Sequence, residues 1–194
     1  MPESADRRKL LQSIYRSIQW DRLYELRPEA SREDVDELFR ELRQMLGPEP
    51  ERDVAAEVAG AGAVLHTDGA SLGNPGPAGI GMVLSTEDGG EVLAWGESIG
   101  RATNNVAEYR AAIAGLKKAL ALDVRRIRLL TDSELMVKQL SGEYQVKNAG
   151  LKPLHAELSE LLDRFEAHEA KHVPRTQNRR ADALASQHAK AAGS

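Results

Sequence analysis

The pattern of apolar residues changes at about residue 63, which limits the folds that the two parts of the chain can adopt. Beyond it, short strand-like apolar segments alternate with longer amphipathic segments. Three strands are predicted to follow one another through turns, and two more are reached through predicted helices. The predicted strands are 64–68, 79–86, 91–100, 126–131 and 170–174, and the predicted helices are 105–122, 134–140, 151–165 and 178–190. This order predicts an α/β fold with a five-stranded mixed sheet flanked by helices.

The first 46 residues have helical periodicity instead, and they predict a small all-α unit of three helices. Ser31 and Asp34 have the spacing of a capping box that opens the last of these helices. Residues 47–62 lose the periodicity and gain Pro, Gly, Ala and Glu, which is typical of a linker. We therefore predict a helical module over residues 1–46, a linker over 47–62 and a larger domain over 63–194.

The composition excludes several classes of site. The chain has no Cys, so a disulfide framework and a thiolate metal site are excluded. Oxygen ligands or some of the five His must then hold any metal, which favours hard ions such as Mg²⁺ or Mn²⁺. The sequence starts without the apolar run of a signal peptide and has no stretch approaching the roughly 18 apolar residues of a membrane span. We expect a soluble, cytoplasmic protein without a membrane partner.

Four acidic residues occur near the ends of predicted elements. Asp68 ends the first strand and Asp132 the fourth, whereas Glu108 and Asp182 lie in the first turns of two helices. Carboxylates near apolar strand ends are costly unless cations neutralise them. Two-metal hydrolysis of phosphodiesters uses such a set, with the two ions roughly 3.5–4 Å apart.

Each acid also has an ordinary structural interpretation. Glu108 follows Asn105 by three residues and fits a capping box, Asp132 could cap the next helix, and Asp182 could favour a helix dipole. Asp68 could be a turn aspartate.

The net charge of −4 contrasts with the basic excess that is usual in nucleic-acid-binding domains. Residues 1–62 hold ten Lys and Arg against fourteen Asp and Glu, and residues 63–194 hold sixteen of each. The larger domain is therefore neutral. If four of its carboxylates bind divalent cations, the rest of its surface becomes positive enough to meet a phosphate backbone.

At these acids the sequence resembles the ribonuclease H family, type 1, over about residues 63–190. TDGASLGNPGPAG resembles the family's first-strand signature, TNNVAEYRA its helix-start motif, TDSEL the motif of its second aspartate, and HVPRTQNRRADALA its C-terminal motif. The resemblance implies the ribonuclease H fold and a catalytic domain that hydrolyses the RNA strand of RNA/DNA hybrids with two Mg²⁺ or Mn²⁺ ions. It implies catalytic and metal-binding roles for four residues: Asp68, Glu108, Asp132 and Asp182.

The resemblance also implies contacts with the hybrid. Gly69, Asn74 and Asn104 match substrate-binding positions, and Thr103 matches part of a pocket for a DNA-strand phosphate. Short amides and hydroxyls suit the 2′-hydroxyls and phosphates of a shallow minor groove. The alternatives are structural, since Asn and Gly form turns and Thr103 could cap a helix.

Near the C-terminal motif, His172 has the spacing of a family histidine that assists proton transfer or product release, with Arg175 as the competing candidate. His172 lies in a predicted strand, however, where a half-buried histidine is often structural. Glu134 departs from the family pattern, because several family members have an uncharged hydrogen-bonding residue two positions after this aspartate. A carboxylate there repels phosphate unless it points away or helps to bind metal.

The lysine-rich, tryptophan-containing insertion of some family members is absent from this sequence. The corresponding segment, 141–155, offers the cations Lys147 and Lys152, and Tyr144 as either a stacking group or a core residue. We expect salt-sensitive substrate binding, and selectivity for hybrid over double-stranded RNA is left open.

Three functions compete for the whole protein: an endoribonuclease on hybrids, a nuclease of the same fold that acts on double-stranded RNA or DNA, and a non-catalytic nucleic-acid-binding module. For residues 1–46 the interpretations are a docking or dimerisation surface, a helix-turn-helix, or a silent appendage. The acids of residues 31–46 disfavour insertion into a major groove.

Overall fold

The protein divides into two compact units between residues 52 and 53. The computed structural model describes residues 4–46 and 54–193. Residues 47–53 of the predicted linker lie outside the described residues. The remainder of that segment is not extended, because it contains the helix α4 (Val54–Val58), whose Val58 side chain is fully buried.

The first unit contains the three predicted helices, α1 (Ser4–Arg16), α2 (Trp20–Leu26) and α3 (Arg32–Met45). The predicted capping box is confirmed. Ser31 Oγ accepts a hydrogen bond from the Asp34 backbone N–H at 3.1 Å, and Asp34 Oδ2 accepts one from the Ser31 N–H at 2.8 Å. These bonds satisfy two N–H groups that a helix start otherwise leaves unpaired.

The second unit contains the predicted five-stranded mixed sheet, in the order β3-β2-β1-β4-β5. The strands are β1 (Gly62–Ser71), β2 (Gly76–Thr86), β3 (Glu91–Ala102), β4 (Arg126–Thr131) and β5 (Ala167–His172). Strands β1, β2 and β3 pair antiparallel, whereas β4 pairs parallel with both β1 and β5. The helices are α5 (Asn104–Ala121), α6 (Glu134–Leu140), α7 (Lys152–Leu162) and α8 (Arg179–Ala191), with a 3₁₀ turn at Arg175–Gln177.

The core of this unit lies between the sheet and helix α5, against which α7 packs in turn. Leu65, Ile80, Met82 and Leu129 are buried side chains of the inner strands, and Leu116 packs with them from α5. Burying such side chains stabilises the fold by about 1.5–3 kcal/mol each. The central strands, and with them the ends of β1 and β4, are therefore held rigidly.

Helix α8 packs unusually close to β2 because small residues meet there. A Cβ added to Gly81 would lie 2.2 Å from the Ala181 carbonyl oxygen, and one added to Gly79 would lie 2.3 Å from the Ala189 backbone nitrogen. Ala185, one turn from each of these alanines, is also fully buried. The alanines fix the depth at which α8 sits on the sheet.

Strand β5 begins and ends earlier than the predicted 170–174. Its bounds follow its pairing with β4, from Ala167 opposite Arg126 to His172 opposite Thr131. As an edge strand it is mostly exposed, so its sequence lacks the apolar pattern that marks buried strands. Among the described helices, none is long and apolar enough to cross a membrane.

Candidate active site

The parallel pairing of β1 with β4 brings two of the predicted acids together. Thr67 lies opposite Thr131, so the next residues along the two strands, Asp68 and Asp132, lie side by side. Asp132 is close enough to Asp68 to raise the pKa of its carboxyl group. Because both strands are central in the sheet, Asp68 is only 8% exposed.

Glu108 reaches this edge from the first turns of α5. Its Oε1 accepts a hydrogen bond from Asn104 Nδ2 at 2.9 Å, and its Oε2 accepts one from the Ser133 hydroxyl. Burial raises the pKa of Glu108, the Ser133 hydrogen bond opposes that rise, and the charge of Asp132 adds to it. Both oxygens of Glu108 are thus oriented by neighbours before any ligand arrives.

Gly69, which the family motif predicts to contact substrate, is buried against α5. A Cβ at this position would lie 2.2 Å from the Ala107 carbonyl carbon and from the Glu108 backbone nitrogen. The absence of a side chain therefore allows the start of α5 to touch β1. Gly69 acts in this structure by bringing Glu108 close to Asp68.

Asp182 lies near the start of α8 and is held by Arg175. Arg175 Nη2 donates to Asp182 Oδ1 at 2.5 Å. The charge of Asp182 still contributes to the electrostatic environment of Asp68. The acid predicted from the last motif therefore belongs to the same edge of the sheet, where the guanidinium neutralises it.

The electrostatic centre of the site is Asp68. Burial, the neighbouring Asp132 and the charges of Asp182 and Glu108 together raise the pKa of Asp68 to about 8. An acid in such surroundings loses its proton reluctantly, because the new charge would be buried beside other negative charges. A cation bound among these carboxylates relieves that repulsion.

As the side chains stand, no group of three or more His, Asp or Glu within 4–46 and 54–193 is arranged to hold a metal ion. The carboxylates instead have protein partners. Arg175 holds Asp182, and Asn178 Nδ2 donates to Asp132 Oδ1 at 2.8 Å.

Three of the predicted substrate-binding residues lie together beside Glu108. The Asn104 backbone N–H donates to Asn74 Oδ1 at 3.2 Å. Thr103 is the N-cap of α5, as its structural alternative predicted, and its Oγ accepts from the Val106 N–H at 3.4 Å. Asn74 is exposed, so this loop presents an amide to solvent next to the acids.

His172 is the last residue of β5 and is exposed, so the expectation of a half-buried strand histidine is wrong. The nearby Glu134 forms an ion pair within α6, in which Glu134 Oε1 lies 2.7 Å from Lys138 Nζ. The hydrogen bond with Lys138 lowers the pKa of Glu134, and His172 contributes a smaller electrostatic effect in the same direction. The carboxylate thus points away from Asp132, toward a cation of its own helix.

Tyr144 is 49% exposed and is not a core residue. Lys138 Nζ lies 5.0 Å from the centre of its ring, a cation–π distance. Lys147 and Lys152 are exposed as well. The segment that replaces the basic insertion therefore presents one aromatic ring and few cations.

Two further residues, Ser133 and Asn178, are not among the predicted site residues, although both are buried and both donate to acids of the site. Ser133 was detectable as the N-cap of α6, directly after Asp132. For Asn178 the sequence offers only its position before the last helix, since its partner Asp132, directly after β4, is 46 residues away. Its role depends on tertiary contacts.

Known proteins share this architecture. The chain matches the family model described as reverse transcriptase-like over residues 66–188. It is 48% identical to Ribonuclease HI of Halobacterium salinarum over 122 residues, which are 63% of this chain and 61% of that protein. It is 47% identical to Bifunctional protein Rv2228c of Mycobacterium tuberculosis, of which the match covers 34%. The chain thus spans less than two thirds of either relative.

Solved structures agree with the sequence comparison. The crystal structure of RNase H1 from Halobacterium salinarum matches with a TM-score of 0.66 and 44% identity, over 68% of this chain and 99% of that one. LC11-RNase H1, solved in complex with an RNA/DNA hybrid, matches with a TM-score of 0.65 and 36% identity, over 68% and 99%. The second unit thus has the ribonuclease H fold. The chain belongs to the ribonuclease H family, type 1.

The raised pKa of Asp68 predicts a pH-dependent instability without metal. A group whose folded-state pKa lies above its unfolded value stabilises the fold at low pH, and this contribution is lost as pH rises, here between about 4 and about 8. At pH 8 in a chelator, we expect urea unfolding to give Asp68→Asn a higher free energy of unfolding than the unmodified protein. The expected difference is at least about 1.4 kcal/mol, the equivalent of one pKa unit.

The difference should shrink at pH 4.5, where Asp68 is protonated in the folded protein. Asp163→Asn, at an exposed aspartate after α7, serves as the control and should show no such gain. Equal stabilities of Asp68→Asn and the unmodified protein at pH 8 would contradict the buried repulsion.

The close approach at Gly69 predicts that Gly69→Ala is destabilising. The new methyl group meets backbone atoms on both sides of a peptide bond, so α5 must move. We expect a loss of about 2 kcal/mol or more in urea unfolding, within the usual range for overpacking. Gly150→Ala is the matched control, because the atom nearest to its added Cβ is the Asn148 side-chain oxygen at 3.2 Å. Equal losses in both variants would refute the packing role.

Proposed function

We propose that this protein is an endoribonuclease that hydrolyses the RNA strand of RNA/DNA hybrids with two Mg²⁺ or Mn²⁺ ions. The observation that carries the proposal is the meeting of Asp68 and Asp132 directly after the last parallel pair of β1 and β4, with Glu108 beside them. Surface carboxylates with capping roles do not explain this burial. Membership of the ribonuclease H family supports the same conclusion.

The donor set fits hard divalent cations. Asp68, Glu108, Asp132 and Asp182 offer oxygen ligands alone, and their mutual repulsion at Asp68 is what a bound cation relieves. We propose these four residues as the metal ligands and catalytic residues. When bound, such ions activate the attacking water and stabilise the leaving oxygen of a phosphodiester.

The protein's own contribution is orientation. Asn104 and Ser133 fix the two oxygens of Glu108, and the apolar interior behind β1 keeps the Asp68 carboxyl at a set position. Pre-set ligands need no reorganisation when substrate binds, which lowers the barrier to reaction. Arg175, already paired with Asp182, places a guanidinium where a substrate phosphate meets the site.

Recognition of the hybrid is assigned to the loop beside Glu108. Asn74, Thr103 and Asn104 offer short amide and hydroxyl groups to the sugar and phosphate groups of a minor groove. The relative LC11-RNase H1 was solved with an RNA/DNA hybrid, which supports this substrate class. His172, exposed on the same edge, is proposed to assist proton transfer or product release.

A substrate panel tests the proposal. End-labelled RNA/DNA hybrid, double-stranded RNA and duplex DNA are each offered with Mg²⁺ or Mn²⁺. We expect cleavage of the hybrid's RNA strand, and a loss of more than about 100-fold in Asp68→Asn, since even outer-shell changes at metal sites typically cost about 10- to 100-fold. Asp163→Asn should cleave normally.

Other outcomes of the panel are decisive too. Faster cleavage of double-stranded RNA than of hybrid would favour a nuclease of the same fold that acts on double-stranded RNA. Binding without cleavage by the unmodified protein would favour the non-catalytic module. Undiminished cleavage by Asp68→Asn would refute the mechanism.

For the N-terminal unit, we propose self-association with a second copy of the chain. Among its described side chains only Phe39 is buried, whereas six large apolar side chains are 36–82% exposed. They are Leu10, Ile14, Tyr24, Leu26, Leu38 and Met45. A helical unit with so small a core gains stability when a partner covers such side chains.

The opposite net charges of the α1 and α3 sequences favour a second copy of the chain as the partner that covers these side chains. The sequence of α1 has four basic residues and one acidic residue, whereas that of α3 has five acidic and three basic residues. In a two-fold symmetric pair, α1 of each copy can meet α3 of the other, so both contacts are favourable.

Sedimentation of the full chain tests this association. We expect a dimer for the unmodified protein and a monomer for Leu38→Glu with Met45→Glu, because buried carboxylates oppose the contact. Gln44→Glu, at an exposed position of the same helix, adds charge without removing an apolar group and should remain dimeric. A monomeric unmodified protein, or a dimer that tolerates both glutamates, would overturn the assignment.

A further inference from the structure

Asn178 connects the strands that carry two of the acids. Its side chain is 1% exposed, and its Nδ2 donates to the Thr67 carbonyl oxygen at 2.9 Å and to Asp132 Oδ1 at 2.8 Å. Thr67 directly precedes Asp68 on β1. Since a side-chain amide has two N–H groups, both donors are committed to these two partners.

The backbone of Asn178 serves the acid on α8. Its carbonyl oxygen accepts from the Asp182 N–H at 3.0 Å. Asparagine before a helix normally caps it with the side-chain oxygen, but the Asn178 side chain makes no such bond. The side-chain amide therefore does not cap α8, and it forms hydrogen bonds with β1 and with Asp132.

Asn178 Oδ1 is buried and has no hydrogen-bond partner within the described part of the chain. Such an unsatisfied group costs about 1–3 kcal/mol. For stability alone an amide offers little advantage at this position, because an apolar side chain of similar size avoids the cost of the unpaired oxygen. What the amide uniquely supplies is the pair of N–H donors to Thr67 and Asp132.

We propose that Asn178 is a positioning residue that holds the Asp132 carboxylate in the orientation needed to bind a divalent cation. This inference rests on the proposed function, because Asp132 is a ligand only if the site binds metal. Hydrogen bonds to ligating carboxylates fix their direction, and removing them typically weakens metal binding or activity by about 10- to 100-fold. The bond to Thr67 ties that orientation to the strand carrying Asp68.

The test uses the full chain and measures cation binding separately from cleavage. Asn178→Asp keeps the shape of the side chain but replaces the N–H donors with a carboxylate that repels Asp132. Titration calorimetry with Mn²⁺ alone gives the affinity, and hybrid cleavage at saturating Mn²⁺ gives kcat and KM. We expect an affinity about 10- to 100-fold weaker, a lower kcat and an almost unchanged KM for hybrid.

Asn178→Ser is the second variant, for the case in which the aspartate prevents folding. Its hydroxyl is a good helix cap but is too short to reach both partners, so Mn²⁺ affinity should fall here as well. Asn148→Asp is the control, since Asn148 uses its Oδ1 to accept from the Gly150 and Leu151 N–H groups, and a carboxylate preserves those bonds. This variant should bind Mn²⁺ normally.

Folded Asn178 variants with unaltered Mn²⁺ affinity and kcat would overturn the inference and leave the proposed function intact. If the unmodified protein binds Mn²⁺ but cleaves none of the nucleic acids, the proposed function fails, and the calorimetry still decides the role of Asn178. If the unmodified protein does not bind Mn²⁺, both fail, and Asn178 is a structural residue only.

Discussion

Mutual repulsion of crowded, partly desolvated carboxylates governs how this site is built. The parallel pairing of β1 with β4 places Asp68 and Asp132 side by side, and because Asp68 is buried and Asp132 half-buried, water screens their charges poorly. A fold that accepts such a cost must supply partners. Arg175 forms an ion pair with Asp182, Ser133 and Asn104 donate hydrogen bonds to Glu108, and Asn178 donates one to Asp132. The cost remaining at Asp68 is the physical reason to expect a cation in this site.

The second requirement is close packing, because the other two acids come from helices. Glu108 reaches the sheet edge because Gly69 leaves room for the backbone of α5, and Asp182 does so because Gly79 and Gly81 accept the alanine face of α8. Side chains at these glycines would move the helices away from the sheet. The geometry of the chemistry is therefore set by residues that carry no functional group at all.

Much of the fold and of the site could be predicted from local sequence pattern, and the predictions that failed did so for physical reasons. The bounds of β4 and α6 were predicted to the residue, since an apolar run and a capped amphipathic turn are local signals. Strand β5 was misplaced because an edge strand follows its partner and not its own hydrophobicity. The packing of Gly69 against α5 was not predicted, because it is a contact between elements about 40 residues apart. Such contacts have no local signature.

The sequence by itself determined the order of the elements, the family motifs and the identity of the four acids, because periodicity, capping and motif spacing are properties of neighbouring residues. The burial, charged neighbours and hydrogen-bond partners of those acids were set by the tertiary structure. It set the burial that raises the pKa of Asp68 to about 8, the turn of Glu134 toward Lys138, and the exposure of His172. Only the fold revealed the amide of Asn178 between two strands. Electrostatic energies and buried hydrogen bonds depend on distances between residues far apart in the chain, and folding sets those distances.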